Sequence, residues 1–570
     1  MAKAAIKKKG KKPATAKLSP QDALRADHDA RVRAIFRSAG FRRVGKIVGK
    51  SLTFKGTTCD LDEVFIFENV LAVVECTTTG DVSTHLKKKK IFFDLIQNHK
   101  PEFVQFLSST FSDFKDYLNP KYKPTQYRVV VIYASRFAFA SSTKAEVPGV
   151  KYLDYNIVRY LQSVGETLRR SSRFELFAFL GLSSSEVGEA VLGSQKASST
   201  PYDGSLLPEE HSNFGDGYKV VSCYLTPEAV LKRAYVLRRD GWRAGTSLYQ
   251  RMVSKAKIDN IRTYLREEKR VFINNIIVTL PPETKILDED GDTVDAASIT
   301  TTSAVSISIP DRANCVGIID GQHRVFAYYE GGADEPTIEE LRQRQNLLVT
   351  GIIFPEQIAD DERVRFEANL FLEINSTQAT AKSDLKQEIA LLLRPFSAEA
   401  LAKRVVNHLN DGNGPLADQF ERYFYDADKM KTTSVVSYAM KPLVRPGGEE
   451  SLFKNWSHPD KGEILEGKND ALLAEYVQYC ASEINKFLSA VRSHVPNERW
   501  TPDKKVPNRF LTTTHINGCL SCIRRLSRAK TLMSSQAYAK KLAGIDGLNF
   551  SEYKSSQYNK LGQLIYEMYF

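Results

Sequence analysis

The stretch VGIIDGQHRVFAYY, residues 316–329, decides the fold in the middle of this chain. Its apolar beginning, Val316–Ile319, predicts a buried strand. Its apolar end, Val325–Tyr329, suits a helix that Glu330-Gly331-Gly332 would terminate. The five residues between them, Asp320–Arg324, therefore predict a tight turn from a strand into a helix.

A glycine turn of this kind is suited to binding an anion. It leaves backbone N–H groups unpaired at the start of a helix, where the helix dipole also favours negative charge. Arg324 adds a forked cation that suits a phosphate group. The alternative is a purely structural turn, with Asp320 as its cap and Gly321 allowing close packing, and the residues by themselves favour neither interpretation.

The motif Asp320–Arg324 resembles the signature of the DGQHR-domain family, which includes the DndB proteins of bacterial DNA phosphorothioation systems. Tyr249-Gln250-Arg251, Phe371–Gln378 and Thr432–Val436 resemble further blocks of that family in the expected order, so the resemblance covers about residues 215–440. The family is similar to the ParB/sulfiredoxin superfamily, in which a Gly-x-x-Arg turn holds nucleotide phosphates. The resemblance implies a site for a nucleotide such as ATP or CTP, built from Asp320, Gly321, Gln322, His323 and Arg324, with Asn375 and Gln378 nearby. Asn375 could instead cap a loop through its own side chain.

Composition limits the class of protein. A chain of 570 residues is too long for one core, and about two or three domains are expected. The net charge is +12, of which the first 17 residues carry seven lysines and no acid. Such a tail can strengthen nucleic-acid binding through counterion release or serve only as a solvated tail. No apolar run has the length of a membrane span, and the N-terminus lacks the apolar core of a signal peptide, so we expect a cytoplasmic protein with no membrane partner. The seven cysteines are scattered along the chain, so we expect reduced thiols.

The patterns of apolar residues divide the chain into five parts. We expect an α/β (α+β) protein with an N-terminal α/β/α domain, a central α/β domain that carries the DGQHR motif, and a mainly helical C-terminal region. The predicted bounds are 1–20 for a disordered basic tail, 21–168 for the front domain, 169–215 for a linker, 216–440 for the central domain and 441–570 for the helical region.

The front domain has a second candidate site, formed by acidic residues on a predicted hairpin. Asp60 and Asp62 would share one face of the first strand, and Glu75 and Thr77 one face of the second, because side chains alternate along a strand. Asp62 and Glu75 side by side would offer carboxylate oxygens to Mg²⁺, which could activate water against a phosphodiester.

This arrangement resembles the PD-(D/E)xK restriction-endonuclease fold, in which an entry helix precedes an acidic strand and a strand that ends in Glu-x-Lys. Thr77 departs from that pattern, because it stands where the family has a lysine. The next helix could supply the cation from Lys87–Lys90, and we assign Lys88 together with Asp62 and Glu75 as the catalytic set. The alternative is an exposed acidic hairpin in an unrelated α/β domain.

These resemblances imply a DndB-like, DNA-associated protein of a bacterial modification or restriction system that serves in phage defence. It would contact DNA or cleave it with Mg²⁺. It would also bind a nucleotide, with NTPase activity as a further option. It would associate with other modification or restriction proteins or with copies of itself. The alternative is a non-catalytic DNA-binding regulator or assembly factor with a degenerate nuclease domain, which the missing lysine after Glu75 favours. RNA in place of DNA also stays open, because no motif reads a 2′-hydroxyl.

Overall fold

The computed structural model describes residues 19–183, 186–192, 199–236, 252–378, 383–423 and 426–570. Helices and sheets alternate up to about residue 393 and only helices follow, which confirms the predicted α/β class with a helical C-terminal region. Among the described residues, no helix combines the length and the apolar character needed to cross a membrane.

The front domain is a five-stranded sheet between two layers of helices. Its elements are α1 (Pro20–Ser38), β1 (Arg42–Arg43), β2 (Ser51–Phe54), β3 (Thr57–Asp60), β4 (Glu63–Phe67), β5 (Val70–Thr77), α2 (Val82–Asn98), α3 (Lys100–Thr110), β6 (Arg128–Ser135), α4 (Ser141–Glu146), β7 (Lys151–Leu153), α5 (Tyr155–Leu168) and α6 (Arg173–Leu180). The strand order is β1-β4-β5-β6-β7, with β4 antiparallel to β5, and β5, β6 and β7 parallel. Helices α1 and α5 cover one face of this sheet, and α2 and α3 cover the other.

Strand β5 forms the centre of this layer because it is apolar on both faces. Its eight residues are all buried, as expected for a strand that helices cover on both sides. Helix α1 begins where Ser19 accepts a hydrogen bond from the backbone N–H of Asp22, and α2 begins where Asp81 does the same for Thr84. These caps fix the residues at which the two helices begin.

The middle domain is built on an eight-stranded sheet. Its elements are β8 (Ser199–Leu207), α7 (Glu209–Ser212), β9 (Lys219–Leu225), α8 (Pro227–Arg233), β10 (Ala234–Tyr235), α9 (Lys255–Glu268), β11 (Ile276–Leu280), β12 (Lys285–Leu287), β13 (Ser303–Pro310), β14 (Val316–Asp320), α10 (Gln322–Phe326), α11 (Glu335–Arg344), β15 (Leu347–Ile353), α12 (Asp360–Gln378) and α13 (Ser383–Leu393). The strand order is β10-β14-β11-β15-β9-β8-β13-β12. Strand β14, which leads into the glycine turn, pairs in parallel with β10 and antiparallel with β11.

The C-terminal region is a helical domain with one apolar core that runs from Leu401 to Ile565. Its helices are α14 (Ala398–Asp411), α15 (Thr432–Ser434), α16 (Lys441–Val444), α17 (Leu452–Asn455), α18 (Gly462–Leu465), α19 (Asp470–Arg492), α20 (Thr513–Ala529), α21 (Ser535–Lys541) and α22 (Tyr558–Tyr569), with a π-helical segment at Val435–Met440. Because α14 packs in this core, the helical region begins about forty residues before the predicted boundary at 441.

The predicted linker at 169–215 is wrong over much of its length. Helix α6 places Leu176 and Phe177 in the apolar core, and β8 pairs with β13 from Ser199 to Leu206. Strand β8 was missed because its sequence, STPYDGSLL, is rich in polar and turn-forming residues that are typical of loops. The front and middle domains are therefore in direct contact.

One contact between the two domains lies immediately after the glycine turn. Arg173 forms an ion pair of 2.6 Å with Glu330, whose backbone N–H donates to Ser171 Oγ at 2.9 Å. The backbone N–H of Arg170 donates to the Glu330 carbonyl at 3.0 Å. The segment that leaves the front domain is thus fixed to the end of the DGQHR stretch.

Candidate functional site

The structure places Asp62 and Glu75 next to each other at one end of the β4–β5 hairpin. Glu63 pairs with Val74 in the antiparallel register, so the next position along brings Asp62 opposite Glu75. Asp62 Oδ2 accepts a hydrogen bond of 2.9 Å from the backbone N–H of Cys76, and Asp62 Oδ1 lies 3.3 Å from the guanidinium of Arg25. The carboxylate of Asp62 is therefore held in place from both sides.

The lysine of this site is Lys89, and the assignment of Lys88 is corrected. Lys89 Nζ lies 2.9 Å from Glu75 Oε1 and 2.8 Å from Asp60 Oδ1, whereas Lys88 is exposed on the outer face of α2. Consecutive residues of a helix differ by about 100° in direction, so Lys88 and Lys89 point to different sides and Lys89 is the one that reaches Glu75. Lys89 thus puts a cation beside Glu75, although Thr77 stands where the motif has a lysine.

Burial and the charge of Lys89 act in opposite directions on the pKa of Glu75. Burial raises its pKa first, the negative charge of Asp62 raises it further, and Lys89 lowers it, with a net result of about 8. For Lys89, burial alone would lower the pKa, but the hydrogen bond to Asp60 and the charge of Glu75 outweigh it and raise the pKa above its ordinary value. Lys89 thus stays a cation beside a carboxyl that holds a proton more tightly than usual.

Two further side chains at this site were missed in the sequence. His85 Nε2 lies 3.7 Å from Glu75 Oε1, and His85 Nδ1 lies 2.6 Å from the hydroxyl of Tyr133. Tyr133 on β6 is the parallel partner of Glu75 on β5. The signal that could have found His85 is its position four residues before Lys89, which puts both side chains on one face of α2.

Asp62 and Glu75 fit a magnesium ion as a pair. Mg²⁺ in proteins often uses one or two carboxylates and retains several water molecules. The negative charge of Asp62 raises the pKa of Glu75, so a dication between the two would stabilise both in their charged forms. Within the described residues no three His, Cys, Asp or Glu side chains form a group that could hold a metal ion, so the remaining ligands would have to be water, backbone oxygens or substrate.

The glycine turn of the middle domain has the predicted strand–turn–helix order but a shorter helix. Gly321 lies in the left-handed region with φ of 94°, and a Cβ there would meet Ile276 at 2.6 Å. Helix α10 ends at Phe326 and not at Tyr329. Only five residues are helical, which leaves a weaker dipole than the sequence suggested.

Arg324 does not extend freely from this turn. Its Nη2 lies 2.8 Å from Asp320 Oδ2, while its Nη1 is buried without a hydrogen-bond partner in the described chain. His323 Nε2 accepts a hydrogen bond of 3.2 Å from the backbone N–H of Ser254. An incoming phosphate would have to displace Asp320 from Arg324, which weakens the expectation of a nucleotide site built from Asp320, Gly321, Gln322, His323 and Arg324.

Of the two outlying members of that expected site, Asn375 is described, and no contact among the described residues brings it to the turn. Asn375 Nδ2 donates to the Phe371 carbonyl one turn earlier in α12, at 2.8 Å. The side chain of Gln378 lies outside the described residues, as does the Tyr249-Gln250-Arg251 block.

A buried polar cluster beneath β14 was also missed. Glu367 on α12 is fully buried, accepts a hydrogen bond of 2.5 Å from Thr279 Oγ1 and also bonds the hydroxyl of Tyr235. Burial raises the pKa of Glu367, so its neutral form is favoured. Gly317 on β14 lies against this cluster, where a Cβ would sit 2.6 Å from Glu367 Oε1 and 2.7 Å from the hydroxyl of Tyr235.

The close packing at Gly317 predicts that Gly317→Ala destabilises the protein by about 1–3 kcal/mol, because an added methyl group must displace buried polar atoms. The control is Gly462→Ala, since a Cβ at that position meets no atom within 4 Å. Hydrogen exchange in β14 and in α18 would measure the local effect of each substitution. Equal stability of the two variants would contradict the packing described here.

Comparisons of the chain with family models, curated proteins and solved structures return no match, so function is inferred from its own residues and their geometry.

Proposed function

We propose that the front domain is a Mg²⁺-dependent nuclease that hydrolyses phosphodiester bonds in DNA. The chain would act in the bacterial cytoplasm as a DndB-like member of a DNA modification or restriction system. The observation that carries the proposal is the pair formed by Glu75 and Lys89, with Asp62 beside it. Two carboxylates that could hold a metal ion, with a lysine beside them, can support metal-assisted hydrolysis of a phosphodiester.

Each residue has a distinct part in this chemistry. Asp62 and Glu75 would hold Mg²⁺, which when bound lowers the pKa of a coordinated water and stabilises negative charge on the phosphate. Lys89, fixed by Asp60 and Glu75, keeps a positive charge where the attacking water and a phosphate oxygen would meet. Water attacks phosphorus, the bond to the leaving oxygen breaks, and that oxygen takes up a proton.

The position of Lys89 removes the main reason for the non-catalytic alternative. That alternative depended on Thr77 standing where the family has a lysine, and α2 supplies the cation from outside the motif. A DNA-binding regulator stays the second candidate on a different observation, since Arg25 already pairs with Asp62 and the described residues contain no group of three metal-binding side chains.

Nucleotide binding at Gly321–Arg324, by ATP or CTP, is the less supported half of the proposal. It rests on the left-handed Gly321 and on the buried Nη1 of Arg324, which has no hydrogen-bond partner among the described residues, whereas the ion pair of Arg324 with Asp320 speaks against it. Association with other modification or restriction proteins, or with further copies of the chain, rests on the family resemblance alone.

The two neighbouring lysines of α2 give a matched test. Lys89→Ala is expected to reduce Mg²⁺-dependent cleavage of plasmid and bacterial genomic DNA by on the order of 10²- to 10³-fold, because it removes a fixed cation from the reacting phosphate. Lys88→Ala removes the same charge from the exposed face of the same helix and should leave most of the activity. Equal losses of activity in both variants would show that the lysines of α2 act only as general contacts to DNA. DNA that the wild type binds but never cuts in magnesium would favour the regulator.

A further inference from the structure

Residues 44–50 join β1 to β2, and we call this segment the lysine turn. The backbone N–H of its first residue donates a hydrogen bond of 2.8 Å to the Val64 carbonyl, and that of Gly49 donates one of 2.9 Å to the Leu61 carbonyl. These two hydrogen bonds lie on either side of Asp62 in the sequence. The lysine turn is therefore fixed directly beside the segment that carries one carboxylate of the proposed nuclease site.

The lysine turn lies on the same side of the sheet as Glu75. Its apolar residues Val44 and Ile47 are buried in the core under α2 and α3, which also contains Tyr133, the strand partner of Glu75. The segment with Asp62 lies between the lysine turn and β5. Neighbouring strands are about 5 Å apart, so two spacings, or about 10 Å, separate the backbone of the turn from that of Glu75.

A pocket of about 240 Å³ opens beneath the lysine turn. The turn forms one wall with Lys46 and Lys50, and residues 110–114 at the end of α3 form the other wall. That second wall brings the hydroxyl groups of Thr110 and Ser112 to the pocket. Since a water molecule takes up about 30 Å³, the pocket has room for a phosphate group together with several water molecules.

The two lysines of the pocket differ in how far their charge is balanced. Lys46 forms an ion pair with Asp113, and the charge of Asp116 also acts on it. Lys50 Nζ lies 5.3 Å from the centre of the Phe111 ring, and Lys50 forms no ion pair within the described part of the chain. Asp113 is the one acid among the described residues that line the pocket, so the pocket keeps a net positive charge at Lys50.

We infer that the lysine turn extends the nucleic-acid surface of the front domain, and that a backbone phosphate of the bound strand occupies the pocket beside Lys50. The nucleic-acid identity of this partner rests on the proposed function. A positively charged pocket with hydroxyl donors matches a phosphate group in charge and in hydrogen bonding. The separation of about 10 Å from Glu75 corresponds to about three nucleotides of one strand, so a single strand can reach both places.

The test uses the full chain with Glu75→Gln, so that DNA is bound and not cut, and adds one further substitution at a time. Lys50→Gln should weaken binding of a labelled DNA duplex by about three- to tenfold and reduce the slope of log affinity against log salt by about one, because one phosphate contact is lost. The control is Lys55→Gln, because Lys55 is an exposed lysine between β2 and β3 that does not line the pocket. Fluorescence anisotropy over a range of salt concentrations measures both quantities.

A substitution on the opposite wall of the pocket should have the opposite effect. Asp113→Asn removes the acid of the pocket and releases Lys46 from its ion pair, so it should strengthen DNA binding by about three- to tenfold and steepen the salt dependence. A purely structural role of the pocket would not produce tighter binding. The side chains of Lys50, Lys55 and Asp113 all reach solvent, so the three variants should keep the fold.

Weaker binding in Lys50→Gln and tighter binding in Asp113→Asn, with Lys55→Gln unchanged, would support the inference. Equal effects of Lys50→Gln and Lys55→Gln, or no gain in Asp113→Asn, would overturn it. Inorganic phosphate that slows hydrogen exchange over residues 44–50, with DNA affinity unchanged in Lys50→Gln, would assign the pocket to a free phosphate group and overturn the nucleic-acid identity. If the wild type never cuts DNA while Lys50 and Asp113 still control affinity, the nuclease proposal fails and the surface stands.

Discussion

Glu75→Gln is expected to abolish DNA cleavage, with a loss on the order of 10³-fold or more. Glutamine has nearly the same shape as glutamate, so the buried position on β5 stays filled. What disappears is the ionisable carboxyl that lies 2.9 Å from Lys89 and that, once deprotonated, would hold a dication together with Asp62. Cleavage kinetics in Mg²⁺, and in Mn²⁺ as a second metal, would measure the loss.

The same substitution should not reduce stability at alkaline pH, which separates a functional effect from misfolding. The pKa of Glu75 is about 8 in the folded chain against an ordinary value of 4.5. As the pH rises, the unfolded chain therefore loses this proton at a lower pH than the folded chain does. The stability that the protonated carboxyl contributes is complete below about pH 4.5 and is lost as the pH rises to about 8. Glutamine has no proton to release, so without Mg²⁺ the variant should be as stable as the wild type at pH 8 or more stable.

The matched control for Glu75→Gln is Glu367→Gln in the middle domain. Glu367 is also a buried glutamate whose pKa burial raises, but among the described residues its hydrogen bonds are with Thr279 and Tyr235, far along the chain from the front domain. The substitution Glu367→Gln should leave DNA cleavage unchanged. Loss of cleavage in both variants, or full activity of Glu75→Gln, would contradict the assignment of Glu75.

The front site shows what residue patterns can and cannot predict. The two-residue period of strands was enough to place Asp62 opposite Glu75, because the hairpin between them is local. Lys89 was missed within a run of four lysines, although the phase of α2 could have identified it. The buried residues Phe92, Phe93 and Ile96 follow Lys89 at helical spacing, so they mark Lys89, not Lys88, as the inward lysine.

The glycine turn shows the opposite case. Its strand, left-handed glycine and short helix follow from local sequence, but the state of its arginine does not. Packing around the turn decides whether Arg324 faces solvent, a ligand or Asp320. The backbone carbonyls at the end of α10 accept hydrogen bonds from a residue more than sixty positions away in the sequence. The same limit explains the missed strand β8, which is recognisable as a strand only through its pairing with β13 and β9.

That distant residue, Arg262 on α9, carries the largest stability effect that we expect. Arg262→Met should destabilise the middle domain by about 3–5 kcal/mol, because it breaks a buried ion pair and leaves carbonyl groups unpaired. The guanidinium is 3% exposed and stacks on the Tyr329 ring at 3.8 Å. It donates to Asp334 at 2.9 Å and to three backbone carbonyls, those of Ala327, Tyr329 and Gly331, at 3.0, 2.7 and 2.8 Å.

Methionine has a similar length and fills the same apolar space, so the loss measures the hydrogen bonds and the charge. The control is Arg266→Met, one helical turn later on α9, where the side chain is exposed and pairs only with Glu267, and its effect should stay within about 0.5 kcal/mol. A chain with three domains does not unfold in one step, so hydrogen exchange over residues 322–335 is the suitable measurement. Faster exchange there in Arg262→Met, with the front domain unchanged, would show that the ordered end of the DGQHR stretch depends on Arg262, and unchanged protection would show that it does not.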